Sequence, residues 1–176
     1  MNSLEDKISD LINDNDFPTS LTQLFEKTER KMEFYEYLFQ IIEEEPSLDV
    51  VEKALRFLSV IKPIPYTYEV LINKLSHNSS KIRMAAAETL SVFRPDISKI
   101  LINKLKSDSI TVELVEIIWL LGKIGKKKDI EFLNTLKNQI ECSNQKGKVL
   151  EAVNNAIKEI TLRYVDLWFE KKERKE

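Results

Sequence analysis

Apolar side chains recur along this chain at steps of three and four, and clusters of polar residues interrupt them at regular distances, the pattern of one-sided helices rather than strands. The pentapeptide Leu-Ile-Asn-Lys-Leu stands at 71–75 and again at 101–105. Phe132-Leu133-Asn134-Thr135-Leu136 follows 31 positions after the second copy, and Leu38-Phe39-Gln40-Ile41-Ile42 precedes the first by 33. Each copy is apolar at its first, second and fifth positions, which share one face of a helix. The polar turns EEEPS, SHNSS, KSDS and ECSNQKG come next, and after them the second periodic segments VVEKALRFLSV from Val50, IRMAAAETLSV from Ile82, VELVEIIWLLG from Val112 and VLEAVNNAIKEI from Val149. The chain therefore predicts four helix pairs.

The punctuation agrees. Ser47, Ser80 and Ser109 stand where a hydroxyl would cap a helix N-terminus, and Pro18, Pro46, Pro63, Pro65 and Pro95 all fall between the expected helices. Ala85, Ala86 and Ala87 permit close helix approach. A helix pair repeated about every 31 residues cannot bury its apolar stripe alone, so neighbouring pairs are expected to stack. The expected fold is all-α, a right-handed α-solenoid of stacked antiparallel helix pairs forming a single domain over 1–176. Residues 1–28 supply divergent capping helices at 3–14 and 19–27, residues 29–160 about four pairs, and 161–176 a C-terminal helix extension and charged tail.

The segment Ile82-Arg83-Met84-Ala85-Ala86-Ala87-Glu88-Thr89-Leu90 resembles the second helix of HEAT repeats, particularly the short phycobilisome-lyase-like type, and Leu121-Gly122-Lys123-Ile124-Gly125 is similar to that family's helix ending. The resemblance covers residues 29–160. It implies the solenoid fold and leaves activity open, since the family spans scaffolds, pigment-attachment lyases, repair glycosylases and partner-binding proteins. Two positions depart from the pattern: His77-Asn78 replace the turn aspartate of the second unit, and Glu113 stands in the third where Arg83 stands in the second.

Composition supports helices and removes much chemistry. Three Gly and five Pro in 176 residues are too few for a turn-rich β fold. The one cysteine permits no internal disulfide, the first ten residues lack the basic and apolar regions of an export signal, and no apolar stretch reaches membrane-spanning length, so a soluble cytoplasmic protein is expected. The net charge of −2 hides an asymmetry: residues 1–50 hold 13 acidic and 4 basic side chains, residues 51–176 hold 16 and 23. Such a dipolar chain can steer charged partners.

Candidate catalytic groups are sparse. His77 and Cys142 are each single and fall in turns of different repeats, which argues against a nucleophile–base pair, a zinc cluster or any other metal site. GKIGKKKD at 122–129 lacks both the spacing and the Ser/Thr of a phosphate loop; Lys123, Lys126 and Lys127 are expected near a helix C-terminus and Asp129 as the cap of the next helix. Glu43-Glu44-Glu45 ends a helix with charge that opposes its macrodipole; it is read as a solvated, screened run, with a basic partner or cation as the alternative. Trp119 and Trp168 raise an aromatic pocket of the glycosylase type, but Asp166 is poorly placed to serve Trp168.

The expectation is therefore a non-enzymatic interaction module without cofactor, an adaptor, scaffold or immunity-type protein by family resemblance. Its partner, a protein or peptide, would lie on the concave face formed by the second helices, at Glu52, Arg56, Glu88, Leu114, Ile118, Trp119, Glu151 and Asn155. Leu114, Ile118 and Trp119 are weighed there as a groove centre against a buried core, because VELVEIIWLLG carries more apolar side chains than one neighbouring layer covers. The alternatives are nucleic-acid binding or DNA repair along a basic inter-repeat edge, at Lys62, Arg94, Lys123, Lys126, Lys127 and Lys128, and, with no residue constellation behind it, a lyase-like or glycosylase-like enzyme.

Overall fold

The structure, a computed structural model, describes residues 3–14, 16–93, 97–107, 114–142 and 147–173, with the backbone alone at 107 and 166–173. Among the described residues it is all helical: α1 Leu4–Asn13, α2 Thr19–Lys27, α3 Lys31–Glu44, α4 Leu48–Leu58, α5 Pro65–Lys74, α6 Ser80–Phe93, α7 Ser98–Ser107, α8 Val115–Ile124, α9 Asp129–Cys142 and α10 Lys148–Glu173. None of these helices is long and apolar enough to cross a membrane. The chain divides into two compact units, Met1–Phe93 and Arg94–Glu176, with the boundary between α6 and α7.

In the first unit α3 packs on α4, α5 on α6, and α4 lies against α6. Ala85, Ala86 and Ala87 are fully buried, and the Thr89 hydroxyl, buried on α6, donates to the Leu55 carbonyl of α4 at 2.9 Å. Leu38, Ile42, Leu71 and Leu75 are all buried, as the recurrence of their motif requires. The N-terminal helix α1 is closed by a capping box, Ser3 accepting from the Asp6 N–H at 3.1 Å and Asp6 from the Ser3 N–H at 2.9 Å. Its Ile8 and Ile12 are fully buried, and α1 rests on α2, α3 and α4. A run of ring contacts from Phe17 through Phe57, Phe34, Phe25, Tyr35 and Phe39 to Tyr66 threads this unit.

Caps differ in detail from the sequence expectation. Ser47 precedes α4 but its side chain makes no capping bond, while Ser80 is already the first residue of α6; Ser109, Pro95 and Glu113 lie outside the described residues. The turn after α5 is held instead by Arg83, buried on α6, whose guanidinium donates to the His77 and Asn78 carbonyls at 2.9 and 3.0 Å. A residue from the second helix thus closes a turn whose own sequence lacks the expected aspartate.

In the second unit α7 packs on α8, α9 on α10, and α10 lies along α8. Leu101, Leu105, Leu133, Leu136 and Ile140 from α7 and α9 are buried, as are Val149, Val153, Ala156 and Ile160 from α10. The two helices come close at Gly122, where a Cβ would stand 2.9 Å from the Ala156 Cα. Only glycine lets the two backbones meet at that distance.

Candidate functional site

The charged positions expected on the second helices of the first unit form one connected lattice. Glu52 and Arg56 are one turn apart on α4, and Arg56 Nε donates to Glu52 at 2.9 Å while its Nη1 pairs with Glu88 of α6. Lys81 of α6 joins the other end, 2.8 Å from Glu52 and 2.5 Å from Asp49. Asp49, Glu52, Arg56, Lys81 and Glu88 therefore bridge α4 and α6 as a single chain of alternating charge. The hydrogen bond that Lys81 donates holds the Asp49 carboxyl below its usual range, and the same bond, accepted by Asp49, raises Lys81. Partial burial pushes Glu52 up, but hydrogen bonds from Lys81 and Arg56 outweigh it and leave the group lowered. Arg56 is raised by its bond to Glu52.

The corresponding region of the second unit is built around Trp119. This side chain is half-buried on α8, with Lys123 Nζ 5.5 Å from its ring centroid; the same ammonium pairs with Glu159 of α10 at 2.8 Å. Glu151 and Asn155 are exposed and precede Glu159 on α10 at four-residue steps, so the three share a face. Leu114 and Ile118 do not join them. Leu114 is 3% exposed and Ile118 fully buried, because α8 is covered by α7 on one side and α10 on another. The apolar centre weighed from the sequence is corrected accordingly: two of its three residues are core, and Trp119 alone reaches solvent.

Lys62 is exposed, and its carbonyl accepts from the Tyr35 hydroxyl, which burial raises in pKa; Arg94 lies outside the described residues. Lys123 is engaged by Glu159 and Trp119, and the side chains of Lys126, Lys127 and Lys128 are exposed in one turn. The α8 terminus expected to attract these lysines is occupied by Arg163 of α10, whose guanidinium donates to the Gly122 carbonyl and, at 2.9 Å, to that of Gly125. Asp129 is the first residue of α9 and buried, its carboxylate accepting the Lys126 N–H at 2.7 Å. GKIGKKKD is thus a helix-packing and turn sequence.

The remaining candidates have local explanations. Glu43 pairs with Lys74 at 3.3 Å, Glu44 accepts from Gln40 at 2.9 Å, and Glu45 accepts the Ser47 N–H at 3.0 Å, so each carboxylate of the acidic run has a partner within the first unit. His77 Nδ1 accepts the Ser79 N–H at 3.0 Å; burial, then the charges of Lys74 and Arg83, lower its pKa. Cys142 is the exposed last residue of α9. The side chains of Asp166 and Trp168 lie outside the described residues.

One feature of the second unit was not legible in the sequence. The first helices α7 and α9 leave a groove of about 550 Å³ between them, with Ile102, Leu105, Phe132 and Leu136 as its apolar lining and Lys106, Lys128 and Glu131 among its polar residues. The periodicity marks these positions as helix faces but says nothing about how far apart two helices stand. No protein-family model matches the chain, and neither a curated protein nor a solved structure does.

Proposed function

We propose that this chain is a HEAT-like right-handed α-solenoid that works as a non-enzymatic protein-binding module, its partner engaging the second helices. Hairpin packing of α3 on α4, α5 on α6 and α9 on α10, with α4 beside α6 and α8 beside α10, supports the repeat reading. The observation that carries the binding reading is Trp119: a half-buried indole on α8 beside the Lys123–Glu159 pair and the exposed Glu151–Asn155 face of α10. An aromatic anchor within a polar rim is the usual concentration of binding energy at protein interfaces. In the first unit the Asp49 to Glu88 lattice offers charges already fixed in place, which lowers the entropic cost of recognition.

Affinity capture from the native cells with the wild-type chain and with Trp119→Ser tests the reading. At least one protein is expected to be retained by the wild type and lost by the variant, with melting of the two proteins within a few degrees. Retention of the same set by a variant that melts like wild type refutes the role of Trp119. Lys126, Lys127 and Lys128 remain the basic candidates for the nucleic-acid alternative, and retention of RNA or DNA rather than protein in the same capture favours it.

A further inference from the structure

We propose that the groove between α7 and α9 is a second docking site, separate in its residues from the Trp119 face, and that its occupant is an acidic amphipathic helix from a partner protein. The groove runs from Lys128, just before α9, along that helix to Gln139; the ten steps from Asp129 rise about 15 Å, close to three helical turns. Its floor is apolar: Leu105 and Leu136 are almost fully buried, and half-buried Ile102 and Phe132 offer hydrocarbon surface to an incoming side chain.

Charge selects the occupant. Lys106 and Lys128 flank the floor and are exposed, and Lys106 Nζ sits 5.6 Å from the Phe132 ring centroid, holding its ammonium at the edge of the apolar surface. The helix supplying that side, α7, carries Lys99, Lys104 and Lys106 and no carboxylate. Asp129 does not line the groove, since its side chain is buried and accepts the Lys126 N–H, and among the described lining residues Glu131 is the one carboxylate. A helix with leucine-like residues at i, i+3, i+4 and i+7 would cover the floor while carboxylates on its flanks meet Lys106 and Lys128. A nucleic acid fits less well, because its phosphates would leave the floor uncovered and face Glu131.

The test uses the full chain and three fluorescein-labelled probes in anisotropy titrations at about 0.05 M salt, where charge contacts are least screened. The first probe is a glutamate-rich peptide of about 16 residues with leucines at i, i+3, i+4 and i+7, the second the same peptide with lysine in place of glutamate, and the third an oligouridylate of similar length. The acidic peptide is expected to bind at least about ten-fold tighter than the lysine peptide, and Lys106→Glu with Lys128→Glu to reverse that preference. Both lysines are exposed, so the exchange leaves the core untouched. Trp119→Ser should bind the acidic peptide like wild type, which separates failure of this site from failure of the Trp119 face. Absence of acidic-peptide binding, equal binding of the two peptides, an unchanged preference in the charge-reversed variant, or tighter binding of the oligouridylate overturns the proposal.

Discussion

Replacing Gly122 with alanine adds one methyl group where α8 lies close against α10. That Cβ would lie 2.9 Å from the Ala156 Cα and 3.0 Å from its Cβ. Carbon atoms in good contact stand about 3.5–4.0 Å apart, so the helices must separate by roughly 0.5–1 Å. Overpacking of this kind costs about 1–3 kcal/mol, while alanine gains about 1 kcal/mol over glycine in helix propensity. Overpacking wins, and Gly122→Ala should destabilise the protein by about 1 kcal/mol. Ala156→Gly alone should cost about 2 kcal/mol, half from propensity and half from the buried methyl. The double variant merely moves that methyl from one helix to the other. Its stability should fall within about 1 kcal/mol of wild type, where independent effects would sum to about 3 kcal/mol. Urea titration followed by tryptophan fluorescence measures the right part of the chain, because Trp119 and Trp168 both belong to the unit 94–176. A Gly122→Ala protein more stable than wild type, or an additive double variant, refutes the close approach.

Leu75→Ala and Leu105→Ala each remove a buried leucine from a motif copy and should cost about 2–5 kcal/mol. Urea midpoints equal to wild type in either would contradict the register. Acid should weaken the α4–α6 lattice in a defined window. Glu52 lies below its ordinary value of 4.5, so the folded state binds its proton less readily than the unfolded chain; its stabilisation is present above that value and is lost as pH falls through the lower folded one. Glu52→Gln should therefore lose less stability than wild type as pH falls below about 4.5, by under about 1 kcal/mol because the basic partners Arg56 and Lys81 are about half exposed. Equal acid slopes in urea titrations of the two proteins would exclude the pairing.

The helices were legible because helical order is written locally. A side chain turns about 100° per residue, so a dozen positions suffice to mark the buried stripe, and Leu71, Leu75, Leu101 and Leu105 could be assigned to the core from their spacing alone. Prolines and polar turns then bounded the helices closely, including the pair at 4–13 and 19–27. Capping was less legible: Ser47 has the right type and position, yet makes no capping bond.

Between neighbours on one helix the pattern could not choose. Ile118 and Trp119 are both apolar on α8, but Ile118 is enclosed while Trp119 remains half-exposed beside Lys123, and which of them is covered depends on where α7 and α10 lie. Arg163 closes the end of α8 from 38 and 41 residues away, a pairing with no local signature. The groove between α7 and α9 has none either. Helix identity and facing follow from hydrogen bonds and angular spacing within a few turns of chain. The distance between two helices follows from side-chain volumes meeting across the fold, so Gly122 against Ala156 and the space left beside Phe132 are properties of the tertiary structure alone.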